Sequence, residues 1–212
     1  MTTLQSAEFR AVLARLEAAA EGDDTLDFPM ARLEGGNAQE RADLMAAAYL
    51  PVSPEAGHLM YALTRSARPA TVVEFGTSYG ISTLHLAAAV KDNGAGHVVS
   101  TELSEVKVAA ARANLAAAGL GDVATVLAGD ARETLADLPG PIGVVLLDGW
   151  KDLCLPVLRL LEDRLAPGAV VLGDDTDLPS LKPYLDYVRD PANGYLSVNF
   201  PVGDGMEISC RL

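Results

Sequence analysis

Thr71–Ala88, TVVEFGTSYGISTLHLAA, runs from a β-branched stretch through two glycines straight into a helix-forming sequence. Val72, Val73 and Phe75 read as a buried strand, and Gly76 and Gly80 permit a tight turn with close backbone approach. The helix that follows aims its first amides at whatever lies over the turn, an arrangement that suits an anion or the polar end of a nucleotide. The spacing narrows the choice. A dinucleotide fingerprint has G-x-G-x-x-G, whereas here the glycines are four apart and an acid, Glu74, precedes the turn. Glu74, the turn residues Gly76, Thr77, Ser78, Tyr79 and Gly80, and Ser82 at the start of the helix are therefore candidate cofactor-binding residues.

Taken alone, the stretch also suits an ordinary strand–turn–helix; the order of the elements after it favours a cradle. His97–Thr101 is a second apolar strand ending at Glu102, some twenty residues beyond the first glycine, where an acid can accept both hydroxyls of a ribose. Glu102 also stands before Ser104, where it suits a helix-capping role. Val123–Leu127 is a third apolar run, stopping at Gly129-Asp130-Ala131, where an adenine would lie. The first of these elements resembles motif I of the class I S-adenosylmethionine (SAM) methyltransferases. That resemblance implies an α/β fold: a Rossmann-like, mostly parallel sheet with helices on both faces.

The chain has 212 residues, half of them hydrophobic, enough for one domain with a substantial core. A net charge of −13 argues against nucleic acid or an anionic membrane as partner, since both reward clustered Lys and Arg. Cys154 and Cys210 lie far apart without CxxC spacing, which points away from a disulfide framework or zinc site and towards a reducing cytoplasm. Neither a signal-peptide pattern nor a run of about 20 apolar residues is evident.

One unit spanning residues 1–212 is expected, divided into a helical cap on the substrate side (1–52) and an α/β core (53–212). The cap should hold a helix from about Leu4 to Ala20, a loop containing Pro29, Gly35 and Gly36, and a helix around Gln39 to Tyr49; Pro54–Ala67 reads as a helix capped by Ser53. Strands are expected near 71–75, 97–102, 123–128, 142–148 and 169–174, separated by alanine-rich helices, as in a parallel sheet covered on both faces. Tyr195–Phe200 and Met206–Cys210, joined by Pro201-Val-Gly-Asp-Gly205, read as a C-terminal antiparallel hairpin. Met30 and Met45 are candidate flexible lining for an acceptor.

The candidate chemistry clusters at Asp148-Gly-Trp-Lys151 and Gly173-Asp-Asp-Thr176. Asp148, Asp174 and Asp175 follow predicted strands, at the edge where open parallel sheets bind ligands. Three converging carboxylates need a cation, and their hard oxygens suit Mg2+ or Ca2+. Trp150 could cover the adenine edge, wall the acceptor or simply pack.

From Pro51 to Leu212 the chain resembles the metal-dependent O-methyltransferases of the catechol and caffeoyl-coenzyme A type. The resemblance rests on Ser53-Pro-Glu-Ala-Gly57, Glu74-Phe-Gly-Thr77, Asp148-Gly-Trp-Lys151, Asp174-Asp-Thr176 and Gly203-Asp-Gly-Met-Glu207. It implies Asp148 and Asp174 as metal ligands, with Asp175 where the family usually has asparagine. Lys151 becomes the proton acceptor, working beside Asp148 as a catalytic residue, and Ser82 a partner of the methionine carboxylate. A small hydroxylated acceptor and a homodimer also follow from the resemblance. The alternatives are a metal-independent small-molecule N- or O-methyltransferase and a SAM-binding regulatory protein.

Overall fold

A computed structural model describes residues 2–212, the side chains of Met30, Ala31 and Glu34 excepted. The N-terminal part contains α1 (Ala7–Ala20), α2 (Met30–Gly35), α3 (Ala38–Leu44) and α4 (Pro54–Ala67). The body alternates β1 (Thr71–Phe75), α5 (Ile81–Asn93), β2 (His97–Glu102), α6 (Glu105–Ala117), β3 (Ala124–Ala128), α7 (Ala131–Thr134), β4 (Ile142–Leu147), α8 (Lys151–Leu161) and β5 (Leu165–Asp174). It closes with α9 (Lys182–Arg189) and the hairpin β6 (Tyr195–Phe200) and β7 (Met206–Arg211).

The seven strands form one sheet in the order β3-β2-β1-β4-β5-β7-β6. β1 to β5 are parallel, while β7 pairs antiparallel with both β5 and β6. The class I methyltransferase sheet expected from the sequence, with its terminal hairpin, is the one observed.

Period-two alternation divides the core into two layers. Val72, Val98, Val144 and Leu146 face α4, α5, α6 and α1; Val73, Phe75, Val145 and Leu147 face α7, α8 and α9. α5 is buried on every side from Ile81 to Val90, because α1 and α4 pack on its outer surface. Fully burying such aliphatic side chains contributes roughly 1.5–3 kcal/mol each. The first helix of the expected cap is thus part of the core.

Two boundaries differ from the sequence reading. The stretch read as a loop around Pro29 contains the short α2. The helix expected to reach Tyr49 ends at Leu44, because the Tyr49 and Leu50 amides instead donate to the two oxygens of Asp23, at 2.9 and 2.7 Å. Those bonds hold residues 45–52 across the C-terminal edge of the sheet, above the cradle. Among the described residues no helix is long and apolar enough to cross a membrane, and both cysteines are free.

Candidate active site

Strand register brings the candidate residues to one edge. Phe75 pairs with Thr101 and Leu147, and Leu147 with Gly173, so the next residues, Gly76, Glu102, Asp148 and Asp174, emerge side by side. The order reverses at β1, the position where open α/β sheets bind ligands. A cavity of about 820 Å3 lies there. Gly76, Thr77, Ser78, Ser82, Glu102, Asp130, Ala131, Asp148, Trp150, Lys151, Asp174 and Asp175 all line it.

The turn between β1 and α5 is bent as the glycines suggest, with φ of +101° at Gly76 and +94° at Gly80; Ser78 joins them at +48°. At Gly76 a Cβ would lie 2.6 Å from the Asp148 carbonyl oxygen and the Gly149 nitrogen, so only glycine lets β1 and β4 approach here. Glu102 holds the strained turn from the side, accepting the Ser78 N–H at 2.8 Å and the Ser104 N–H at 2.9 Å. It therefore both anchors the following helix and faces the cavity.

Glu74, Tyr79 and Gly80 do not line the cavity. The Glu74 carboxyl is fully buried beneath the cradle and accepts from the hydroxyls of Ser82 at 2.6 Å, Thr83 at 2.5 Å and Ser100. Burial pushes its pKa up to about 7 against the lowering effect of those bonds. Its place is explained by strand alternation, which turns residue 74 to the same face as Val72. Tyr79 points towards the cap, stacking on Tyr49 with ring centres 4.0 Å apart and donating to the Ala46 carbonyl at 2.9 Å. Because the Ser82 hydroxyl is committed to Glu74, what this residue offers an anion is its backbone N–H, in the first turn of α5, where no side-chain cap is present.

Asp130 caps α7 and is bound by Arg132, whose guanidinium lowers its pKa. Trp150 also lines the cavity, with the Arg41 guanidinium 4.6 Å from its ring centre; Arg41 also binds Asp152 through two bonds of 2.9 and 3.1 Å. α3 is thereby tied to the start of α8 at the cavity's edge. Of the two methionines expected as lining, Met45 is present and the Met30 side chain lies outside the described residues; Leu33 lines the cavity as well. Sequence reasoning missed Arg41, Lys107, Leu178 and Ser180 as lining residues, which come from three separate places in the chain and carry no motif, and it gave Asp204, inside the quoted hairpin stretch, no role in the site.

At the other end, Asp148, Asp174 and Asp175 each offer an oxygen, all within 4.8 Å of one another. Burial raises the pKa of Asp174 to about 8, reinforced by repulsion from Asp148 and Asp175. Burial likewise raises Asp148, with Asp175 adding to the shift and Lys151 opposing it. Asp175 has φ +58°, the left-handed region that Asp and Asn tolerate best among side-chain-bearing residues. Lys151 Nζ lies 2.7 Å from Asp148 Oδ1 and 2.9 Å from Asp175 Oδ2. Burial disfavours its charge, but the two carboxylates outweigh burial and hold its pKa above the ordinary lysine value. Hard carboxylate oxygens at this spacing, on groups that resist ionising together, form a donor set suited to a divalent cation such as Mg2+ or Ca2+.

Residues 73–176 match the family model described as a methyltransferase domain. The chain is 33% identical over 183 residues to "Probable O-methyltransferase Rv1703c" of Mycobacterium tuberculosis, covering 77% of this chain and 76% of that one. It is 31% identical over 140 residues to mouse catechol O-methyltransferase, which covers 63% of this chain but only 52% of the mouse enzyme. In structure it resembles an O-methyltransferase from Bacillus cereus in complex with SAH, with a TM-score of 0.68, 21% identity and coverage of 93% of this chain and 100% of that one. Together with the sheet order and the cradle, these similarities establish that the chain belongs to the SAM-dependent O-methyltransferase family.

Proposed function

We propose that this protein transfers the methyl group of SAM to a hydroxyl of a small phenolic or catechol-like acceptor, with a divalent cation held by Asp148, Asp174 and Asp175. The observation that carries the reading is the convergence of these acids and Lys151 with the glycine cradle in one cavity. Its volume of about 820 Å3 is within the range of sites for small molecules and cofactors. Similarity to catechol O-methyltransferase supports the acceptor class.

SAM, when bound, supplies an electrophilic methyl on its sulfonium. A divalent cation, when bound, supplies Lewis acidity that lowers the pKa of an acceptor hydroxyl. The chain's own residues bind, orient and exclude water. Glu102 would hold the ribose hydroxyls, the first amides of α5 the methionine carboxylate, and Ala131, Asp130 and Trp150 the adenine. Leu33, Met45, Leu50, Val52 and Leu178 give the cavity apolar walls. Transfer is a direct displacement that needs only a near-attack alignment, with no covalent enzyme intermediate. Lys151 takes the hydroxyl proton. With Asp148 and Asp175 as its partners it is an ammonium, so this role requires their charge to be drawn to another cation.

One observation favours a second reading, a metal-independent transferase: Lys151 already bridges Asp148 and Asp175 and offsets part of their charge. Turnover of a panel of phenolic acceptors with and without chelator separates the two, with SAH binding followed in parallel by calorimetry. On the first reading chelation abolishes transfer, leaves SAH affinity intact, and is reversed by Mg2+. Full activity after exhaustive metal removal refutes it. Lys151→Ala is expected to lower kcat far more than cofactor affinity.

A further inference from the structure

Lys107, the third residue of α6, is 4% exposed and lines the cavity beside Glu102 and Leu103. Its Nζ lies 5.7 Å from the centre of the Tyr79 ring and makes no hydrogen bond or ion pair among the described residues. The other three lysines all have oxygen partners: Lys91 the Gly119 carbonyl and Asp122, Lys151 two aspartates, and Lys182 Asp186. Among the described residues the most enclosed ammonium outside the acid cluster thus has the face of Tyr79 but no oxygen partner, an arrangement that costs free energy unless an acceptor reaches it.

The anions nearest Lys107 are already engaged. Glu102 has one backbone N–H on each carboxylate oxygen, and so does Asp23, through Tyr49 and Leu50. Burial disfavours the Lys107 charge, and Glu102 and Asp23 act against that effect from a distance. Neither acid bonds the ammonium, so the place for an acceptor is on the cavity side. A ribose supplies one, since each hydroxyl has both a hydrogen to give and lone pairs to offer. A carboxylate can only accept and an ammonium can only donate, so the two side chains address complementary halves of the same hydroxyl groups.

We propose that Lys107 is a cofactor-binding residue that donates a hydrogen bond to a ribose hydroxyl oxygen, forming with Glu102 a matched donor–acceptor pair at the ribose end. The inference rests on the reading of this cavity as the SAM site. It explains why a lysine is enclosed here at the cavity wall, its ammonium over the Tyr79 ring with no oxygen partner among the described residues. It also gives α6 a direct part in cofactor recognition, beyond supporting the sheet.

The test is calorimetric titration of wild type, Lys107→Met and Lys107→Gln with SAH and with two SAH analogues, one lacking the ribose 2′-hydroxyl and one the 3′-hydroxyl. Lys107→Met should weaken SAH binding about 10-fold or more, the cost of one charge-assisted hydrogen bond. For the analogue lacking the contacted hydroxyl, variant and wild type should agree within about twofold. A loss of equal size for all three ligands overturns the proposal, because it identifies a charge-balancing or packing role. So does an unchanged affinity for SAH. Should Lys107→Met fail to fold, Lys107→Gln, a shorter and uncharged donor, should show a smaller loss for SAH that again disappears with the analogue lacking the contacted hydroxyl, and a loss equal for all three ligands overturns the proposal as before. Wild-type protein that does not bind SAH overturns the cofactor reading itself, and the proposal with it, so the two failures are distinguishable.

Discussion

Replacing Glu102 by alanine tests the cradle at the point where fold and cofactor recognition share one side chain. Its two oxygens accept the N–H groups of Ser78 and Ser104 at 2.8 and 2.9 Å, and Ser78 is held at φ +48°, a conformation with little intrinsic support for serine. A hydrogen bond to a charged group contributes about 1.5–3 kcal/mol when dry. Glu102 faces the cavity, where water replaces part of the loss, so about 2 kcal/mol for the pair is the reasonable magnitude. For a chain of this size that corresponds to a fall in melting temperature of about 4–8 °C. Cofactor affinity should suffer more. Alanine removes the ribose acceptor and also frees the turn that shapes the site, so SAH binding measured by calorimetry should weaken by more than about 10-fold. Glu102→Gln, which keeps one oxygen but sets an NH2 against an N–H donor, should fall between wild type and Glu102→Ala in both measurements. SAH affinity within about twofold of wild type in Glu102→Ala would remove Glu102 from the site. A normal melting temperature together with lost binding would show that the Ser78 turn does not depend on it.

Glu74 should make stability depend on pH. Its folded pKa of about 7 lies above the ordinary 4.5, so the folded state favours the protonated form. This contribution is fully present below about pH 4.5 and is lost as pH rises through 7, a change of about 3 kcal/mol. Urea unfolding at pH 5 and pH 8 should show a smaller difference for Glu74→Gln than for wild type; equal differences would place the buried charge elsewhere. Asp175→Asn should retain folding and most activity, since asparagine tolerates φ +58° and keeps an oxygen ligand, whereas Asp175→Val should lose both about 1–2 kcal/mol of stability and the ligand. Comparing melting temperature and methyl transfer for the two variants tests this, and equal behaviour would contradict it. Gly76→Val should abolish SAH binding and destabilise the fold by roughly 3 kcal/mol or more, because its Cβ would lie 2.6 Å from the Asp148–Gly149 backbone. Normal SAH binding by this variant would refute the placement of the cradle.

Local patterns in the sequence were sufficient for most of the architecture. The β-branched runs at Val72-Val73 and Val98-Val99, the glycine pair at 76 and 80, and the Ser53-Pro54 helix start are short-range signals, and the structure follows each. The acid cluster was legible for a related reason. In a parallel sheet, residues that follow successive strands end at the same edge, so Asp148 and Asp174 converge once β4 and β5 are neighbours. Side-chain partnerships depend on contacts between distant segments and were not legible. Glu74 looks like a ligand residue in the motif, yet strand alternation turns it under the cradle to Ser82, Thr83 and Ser100. Arg41 carries no signal in its own helix and becomes part of the site only when α3 meets Trp150 and Asp152. Lys107 reads as one more charged residue on an alanine-rich helix; only burial beside the cavity, with its anionic neighbours already bonded elsewhere, sets it apart. Periodicity and glycine placement act over a few residues and survive in the linear chain, whereas burial and the choice of hydrogen-bond partner arise when segments far apart in sequence close on one another.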